Sequence, residues 1–175
     1  MLYKKQIAPG IAADSISGSP INTNELKGKK ILIKFHRFSG CPIAQRQIHE
    51  FIERQKELNT AGVETIIFMH TGKDKIVPVY REVQGLHIIP DKQKKFYHLF
   101  GSEFLFLKFF SLFSWTSTFK SFFKGYFPLV HRFGGGISGV PSDFLLNEEG
   151  EIVDLHYGKH FGDSWSVSEV LKKLD

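Results

Sequence analysis

The apolar positions of this chain fall into short dense runs broken by polar punctuation, and the spacing within the runs switches between strand and helix. An apolar, β-branched run leads from Lys30 to Cys41, and Pro42 follows at once. From there Ile43, Gln47, Ile48, Phe51, Ile52, Gln55 and Leu58 form one stripe toward a core, with Arg46, Glu50, Glu53, Arg54 and Lys56 outside it. A strand therefore hands over to a helix at Cys41, with Pro42 at the first helical position, where its missing N–H costs nothing. Residues 59–62 supply a stop, and VETIIFM over residues 63–69 reads as a buried strand. Strand, helix and strand of these lengths predict parallel neighbours joined by a right-handed crossover.

The same reading continues less evenly through the rest of the chain. Residues 74–84 predict a second helix weakened by Pro78, residues 86–89 a short strand stopped by Pro90, and Asp91 the cap of a helix through Lys92, Lys95, Phe96 and Leu99. Residues 142–147 and 151–157 read as an antiparallel hairpin turned at residues 148–150. Asp163 or Ser164 is expected to cap a last helix over residues 165–174, with Lys172 and Lys173 in its final turn. Residues 9–30, rich in Ser, Gly, Pro and Asn without a sustained period, predict a segment laid across the surface.

Composition adds one anomaly. Of 175 residues, 42% are hydrophobic and 23% charged, ordinary for one globular domain, but most of the 18 phenylalanines crowd into residues 100–133 with Lys108, Lys120, Lys124, His131 and Arg132 between them. Too many polar residues interrupt this stretch for a membrane-spanning helix. Three uses stay open for it: a hydrophobic cover over a pocket, a homodimer interface, or a surface resting on a membrane, the last being the least favoured. The net charge of +5 is scattered, with no basic stripe carrying stacking aromatics, which argues against nucleic acid as a partner. The first residues carry two lysines and no apolar run behind them, so a cytoplasmic location is expected.

The chemistry rests on the single cysteine, which excludes an internal disulfide and a thiolate-built zinc site. The eight histidines show no chelating spacing, so neither metal nor cofactor is expected. A lone cysteine is often a small buried hydrophobe. At the first turn of a helix, however, unsatisfied amides and a partial positive charge favour thiolate, and Arg37, four residues earlier, adds a second cation if it folds back. His70 falls at the carboxyl end of the next strand, the edge where catalytic groups of such sheets collect, although an isolated loop histidine is more often solvated.

The G-C-P turn at residues 40–42 with its flanking strand and helix resembles the active-site segment of the thioredoxin-fold superfamily. More specifically, it resembles that of the peroxiredoxin-like proteins of the alkyl hydroperoxide reductase and thiol-specific antioxidant (AhpC/TSA) group. GVPSDFLLNEEGEI, residues 139–152, resembles that family's cis-proline loop and the hairpin after it. The resemblance implies an α/β, thioredoxin-like fold, a central mixed sheet flanked by helices, with residues 100–133 as a helical insertion. It also implies a substrate-docking wall built by Pro42, Val140 and Pro141, the alternative for Pro141 being an ordinary trans proline opening an edge strand.

Two departures narrow this. The family's P-x-x-x-T-x-x-C has Lys34 in place of the proline and Phe38 in place of the threonine, and Ala44 stands where C-x-x-C proteins carry a second cysteine. One-cysteine chemistry remains: Cys41 with Arg37 would attack a peroxide or disulfide, and an external thiol of glutathione or thioredoxin type would resolve the product. A non-catalytic binding module that uses the aromatic insertion for a protein or membrane partner is the alternative.

Overall fold

The computed structural model describes residues 1–102, 121, 123, 125 and 141–174. Its centre is a five-stranded mixed sheet of β3 (Lys30–His36), β4 (Val63–Met69), β5 (Leu86–Pro90), β6 (Ser142–Leu146) and β7 (Ile152–Tyr157), ordered β5-β4-β3-β6-β7. β3, β4 and β5 run parallel, whereas β6 is antiparallel to β3 and to β7. β3, the central strand, is buried on both faces because it is paired on both edges and covered above and below.

The two faces carry two cores. Leu32, Ile67, Met69 and Leu145 pack under α1 (Pro42–Thr60) with Ile43, Ile48, Phe51 and Leu58, and this core also contains Cys41. On the other face Phe35, Phe68, Phe144 and Phe100 stack with Tyr97 of α3 (Lys95–Leu99), the Phe35 and Phe68 rings 4.9 Å apart. α1 follows the predicted stripe closely: each of its stripe residues is buried except Ile52, which is partly so.

Four expectations are corrected. Residues 9–30 are not featureless: β1 (Ala12–Asp14) and β2 (Pro20–Asn22) form a small antiparallel ladder, anchored because Ile11, Ile16 and Ile21 are buried. The helix expected over residues 74–84 is one turn, α2 (Lys73–Ile76), since Pro78 has no N–H to continue it. The last helix, α4 (Val167–Leu171), starts later than predicted and is capped by a Ser166–Glu169 capping box. The reason for the delay lies in the backbone before it. The Trp165 amide donates to Asp143 at 2.8 Å and its carbonyl accepts from Lys34 at 2.9 Å, so residue 165 is held by the sheet and cannot enter the helix. Lys172 becomes the C-cap, and Lys173 instead pairs with Asp154 at 2.7 Å. α3 begins at Lys95, later than expected, with Lys94 as its N-cap, and the Asp91 carboxylate reaches forward to accept from the amides of Lys95 and Phe96 at 2.9 and 2.7 Å.

Lys34 and Asp143 face each other across the β3–β6 ladder with both side chains fully buried, Nζ to Oδ1 2.5 Å. Lys34 also donates to Ser164 Oγ at 3.0 Å and stands over the Phe51 ring. Ions taken out of water hold only when paired and hydrogen-bonded, and removing one partner strands the other. Asp143→Asn and Lys34→Met are each expected to cost about 3–5 kcal/mol in urea unfolding, and the double variant less than the sum, because both remove the same interaction.

Candidate active site

The turn from β3 into α1 is built by residues that fix its backbone from three sides. Ser39 donates its amide to the Thr71 hydroxyl at 3.1 Å, and its carbonyl accepts from the Tyr80 hydroxyl at 3.1 Å. The Cys41 amide donates to the Phe38 carbonyl at 3.1 Å, which closes the turn. Cys41 is the N-cap of α1 in an extended conformation, Pro42 is the first helical residue, and the first intrahelical bond runs from Gln45 N to Cys41 O at 2.9 Å. The Ile43 and Ala44 amides thus precede the first bonded one, and the sulfur sits at the positive end of a 19-residue helix.

Arg37 folds back onto the cysteine. Its Nη1 donates to Cys41 Sγ at 3.6 Å, and both residues are buried, 8% and 2% exposed. The guanidinium lies 3.8 Å from the centroid of the Phe161 ring and 5.2 Å from that of Phe38. Burial lowers the Arg37 pKa, and the neighbouring Cys41 opposes that by favouring the cation. Guanidinium keeps its proton under such burial, so the pocket holds a lasting positive charge beside its sulfur.

The other predicted site residues divide. Pro42 shares the junction with Cys41. Pro141 is buried at the start of β6; the pairing of Phe35 with Ser142, continued by one residue, sets it opposite His36 at the end of β3. Val140 lies outside the described residues, and with it the geometry of its bond to Pro141. His70 is buried, not solvated as a loop histidine would be, with its ring 5.6 Å from Tyr97 and 6.4 Å from Phe38. The aromatic segment over residues 100–133 is described only at residues 100–102, 121, 123 and 125. Phe100 belongs to the core on the face away from α1, and Ser121 Oγ accepts from Arg46 of α1 at 3.3 Å. Whether that segment covers the thiol lies outside the described residues.

Four side chains near this edge were not singled out from the sequence. Asp143 could have been found: a lysine inside a central strand demands a buried counter-charge. Tyr80 and Phe161 carry no such signal, since they reach the site from loops. His36 is the fourth. It is fully buried on β3, and burial, helped by the nearby Lys34 charge, pushes its pKa well below the usual value. Among the described residues no cluster of His, Cys, Asp and Glu could hold a metal, and no helix is long and apolar enough to cross a membrane.

Comparison with known proteins gives a consistent picture. The chain matches the AhpC/TSA family over residues 5–119. Among solved structures it is similar to peroxiredoxin 6 of Arenicola marina, with TM-score 0.70 and 12% identity over 100% of this chain and 73% of that one. A mitochondrial 1-Cys peroxiredoxin of yeast gives TM-score 0.67 and 16% identity over 98% of this chain and 74% of that one. A putative thiol:disulfide interchange protein DsbE from Chlorobium tepidum gives TM-score 0.63 and 15% identity over the whole of both chains. At these identities the likeness is one of fold, and that fold is thioredoxin-like. No curated protein matches the chain.

The buried neutral His36 makes stability depend on pH with a definite sign. Its folded pKa is depressed, so between that value and the unfolded value near 6.5 the unfolded chain binds more protons. Its contribution is complete above about pH 6.5 and is lost as the pH falls below it, at up to about 1.4 kcal/mol per pH unit. Urea unfolding followed from pH 7 to pH 5 is expected to show a shallower decline in His36→Gln than in the parent.

Proposed function

Since the chain belongs to the AhpC/TSA family, we propose that it is a one-cysteine thiol oxidoreductase in which Cys41 reduces a peroxide or exchanges with a disulfide. The observation that carries this reading is the 3.6 Å contact between Arg37 Nη1 and Cys41 Sγ at the N-terminus of α1. A helix terminus and a buried cation both stabilise sulfur as the anion, and the anion is the nucleophile. With a hydroperoxide, the thiolate attacks the distal oxygen, the S–O bond forms as the O–O bond breaks, and the departing alkoxide takes a proton to leave as alcohol or water. Sulfur is oxidised to sulfenic acid. An external thiol then attacks that sulfur, water leaves, and a second thiol attacks the mixed disulfide to restore Cys41 and release the oxidised pair.

The departures from the family shape how this works. Phe38 supplies no hydroxyl where the family threonine would stand, and the Cys41 amide is engaged by the Phe38 carbonyl. The Arg37 guanidinium, with the first-turn amides of α1 beside it, serves as donor for a peroxide oxygen. Ala44 supplies no resolving thiol, so glutathione or a thioredoxin-type protein does that work from outside.

Cys41→Ser is expected to abolish hydroperoxide consumption supported by glutathione or dithiothreitol. Arg37→Met, which keeps the buried stem and removes the charge, should slow iodoacetamide alkylation of Cys41 at neutral pH severalfold, because the donor to Sγ is gone. If the parent consumes neither hydrogen peroxide nor an organic hydroperoxide while its thiol alkylates readily, the binding-module reading replaces this one.

A further inference from the structure

The loop of residues 158–165 ties its two ends to one strand. Gly158 donates its amide to the Pro141 carbonyl at 2.8 Å, and Trp165 donates to Asp143 Oδ2 at 2.8 Å. The Gly158 end is close-packed, since a Cβ there would meet the Pro141 carbonyl oxygen at 2.6 Å and that of Asp163 at 2.5 Å. Inside the loop, Asp163 accepts from the Lys159 amide at 2.7 Å and from His156 Nε2 at 2.8 Å, giving the loop its own shape. A short segment with adjoining ends and internal bonds behaves as a compact flap on a fixed base.

The tip of this flap meets the thiol site. Phe161 packs in the same core as Cys41 and Phe38, its ring against the Arg37 guanidinium, while the Gly162 carbonyl accepts from Gln47 Nε2 of α1 at 3.2 Å. Base and tip differ in strength. The base is held by a close-packed glycine and a buried carboxylate, whereas the tip's backbone is tied to α1 through the neutral side-chain amide of Gln47. Local opening follows the weaker attachments, so the tip lifts before the base.

We propose that Phe161 is, among the described residues, a determinant of which substrates reach Cys41, admitting small oxidants of the size of hydrogen peroxide and holding back bulky hydroperoxides and bulky disulfides. This deepens the thiol oxidoreductase reading and rests on it. With the ring in place Arg37 and Cys41 are nearly sealed, so a small molecule slips past after a slight shift, while a large one waits for the whole tip to lift. Sealing also keeps water from the guanidinium and strengthens its hold on the sulfur.

The test is the ratio of two alkylation rates at Cys41, measured with bulky N-pyrenylmaleimide and with small iodoacetamide, with Cys41→Ser as the blank. Using the change in that ratio between variants cancels the intrinsic chemistry of the reagents. Phe161→Ala is expected to raise the ratio about tenfold, and Phe161→Leu, which restores most of the plug, by less than about threefold. Cumene hydroperoxide against hydrogen peroxide should shift the same way. A ratio in Phe161→Ala within about twofold of the parent overturns the proposal. If Phe161→Ala does not fold, Gln47→Leu decides. It is nearly isosteric, it also removes a buried amide oxygen that finds no partner, and by freeing the tip it should raise the ratio about threefold, an unchanged ratio being fatal. Failure of the thiol peroxidase reading is separable, because the alkylation ratio is read whether or not any peroxide is consumed.

Discussion

The buried ion pair between Lys34 and Asp143 is the constraint on which the arrangement of the site depends. It is one pair in from the Cys41 end of the β3–β6 ladder, and the same two side chains take hold of both backbone polar groups of Trp165. One interaction therefore fixes three things together. It fixes the register of the central strand that ends in the Cys41 turn, the strand that follows Pro141, and the far base of the flap bearing Phe161. A charge in a strand buried on both faces is a liability unless its partner is in place, so the pair makes alternative registers costly as well as stabilising the native one.

The site balances two opposed effects of burial. An apolar pocket disfavours a thiolate, and the helix terminus and Arg37 favour it. Arg37 is itself buried, which lowers its pKa, but its intrinsic value is so high that the charge persists and acts with little solvent screening. The rings of Phe38 and Phe161 serve this balance: they exclude water while their faces tolerate a cation. Where the family pattern has a hydroxyl, this chain has placed a ring beside the guanidinium, exchanging a hydrogen-bond donor for a drier environment.

Much of this was legible in the sequence, for physical reasons that differ by element. The β3–α1–β4 unit was readable because periodicity, Pro42 and the stop at residues 59–62 agree on one answer. The Arg37–Cys41 contact was readable because residues four apart at a tight turn have few places to go. The ladder of β1 and β2 was not, since strands of three residues carry too few positions to show alternation. The late start of α4 was hidden for another reason: Asp163 and Ser164 are good caps by type, and only the distant Lys34 and Asp143 explain why the chain passes them by. Phe161 belongs to the same class, a loop residue whose role arises wholly from where the sheet puts it.

The solitary sulfur beneath its aromatic cover has a consequence for timing. In a two-cysteine protein the oxidised sulfur is captured by its neighbour at a rate set by local chain motion, independent of what else is in solution. On the one-cysteine chemistry proposed above, these 175 residues offer no second thiol to capture it, so an oxidised Cys41 would persist until an external thiol reaches it. The dwell time in the oxidised state is then proportional to neither oxidant nor protein concentration but to the scarcity of reducing thiol. Such a molecule would register the depletion of its reductant as a change in its own oxidation state, and a cover that admits small oxidants more readily than bulky thiols would lengthen that state further.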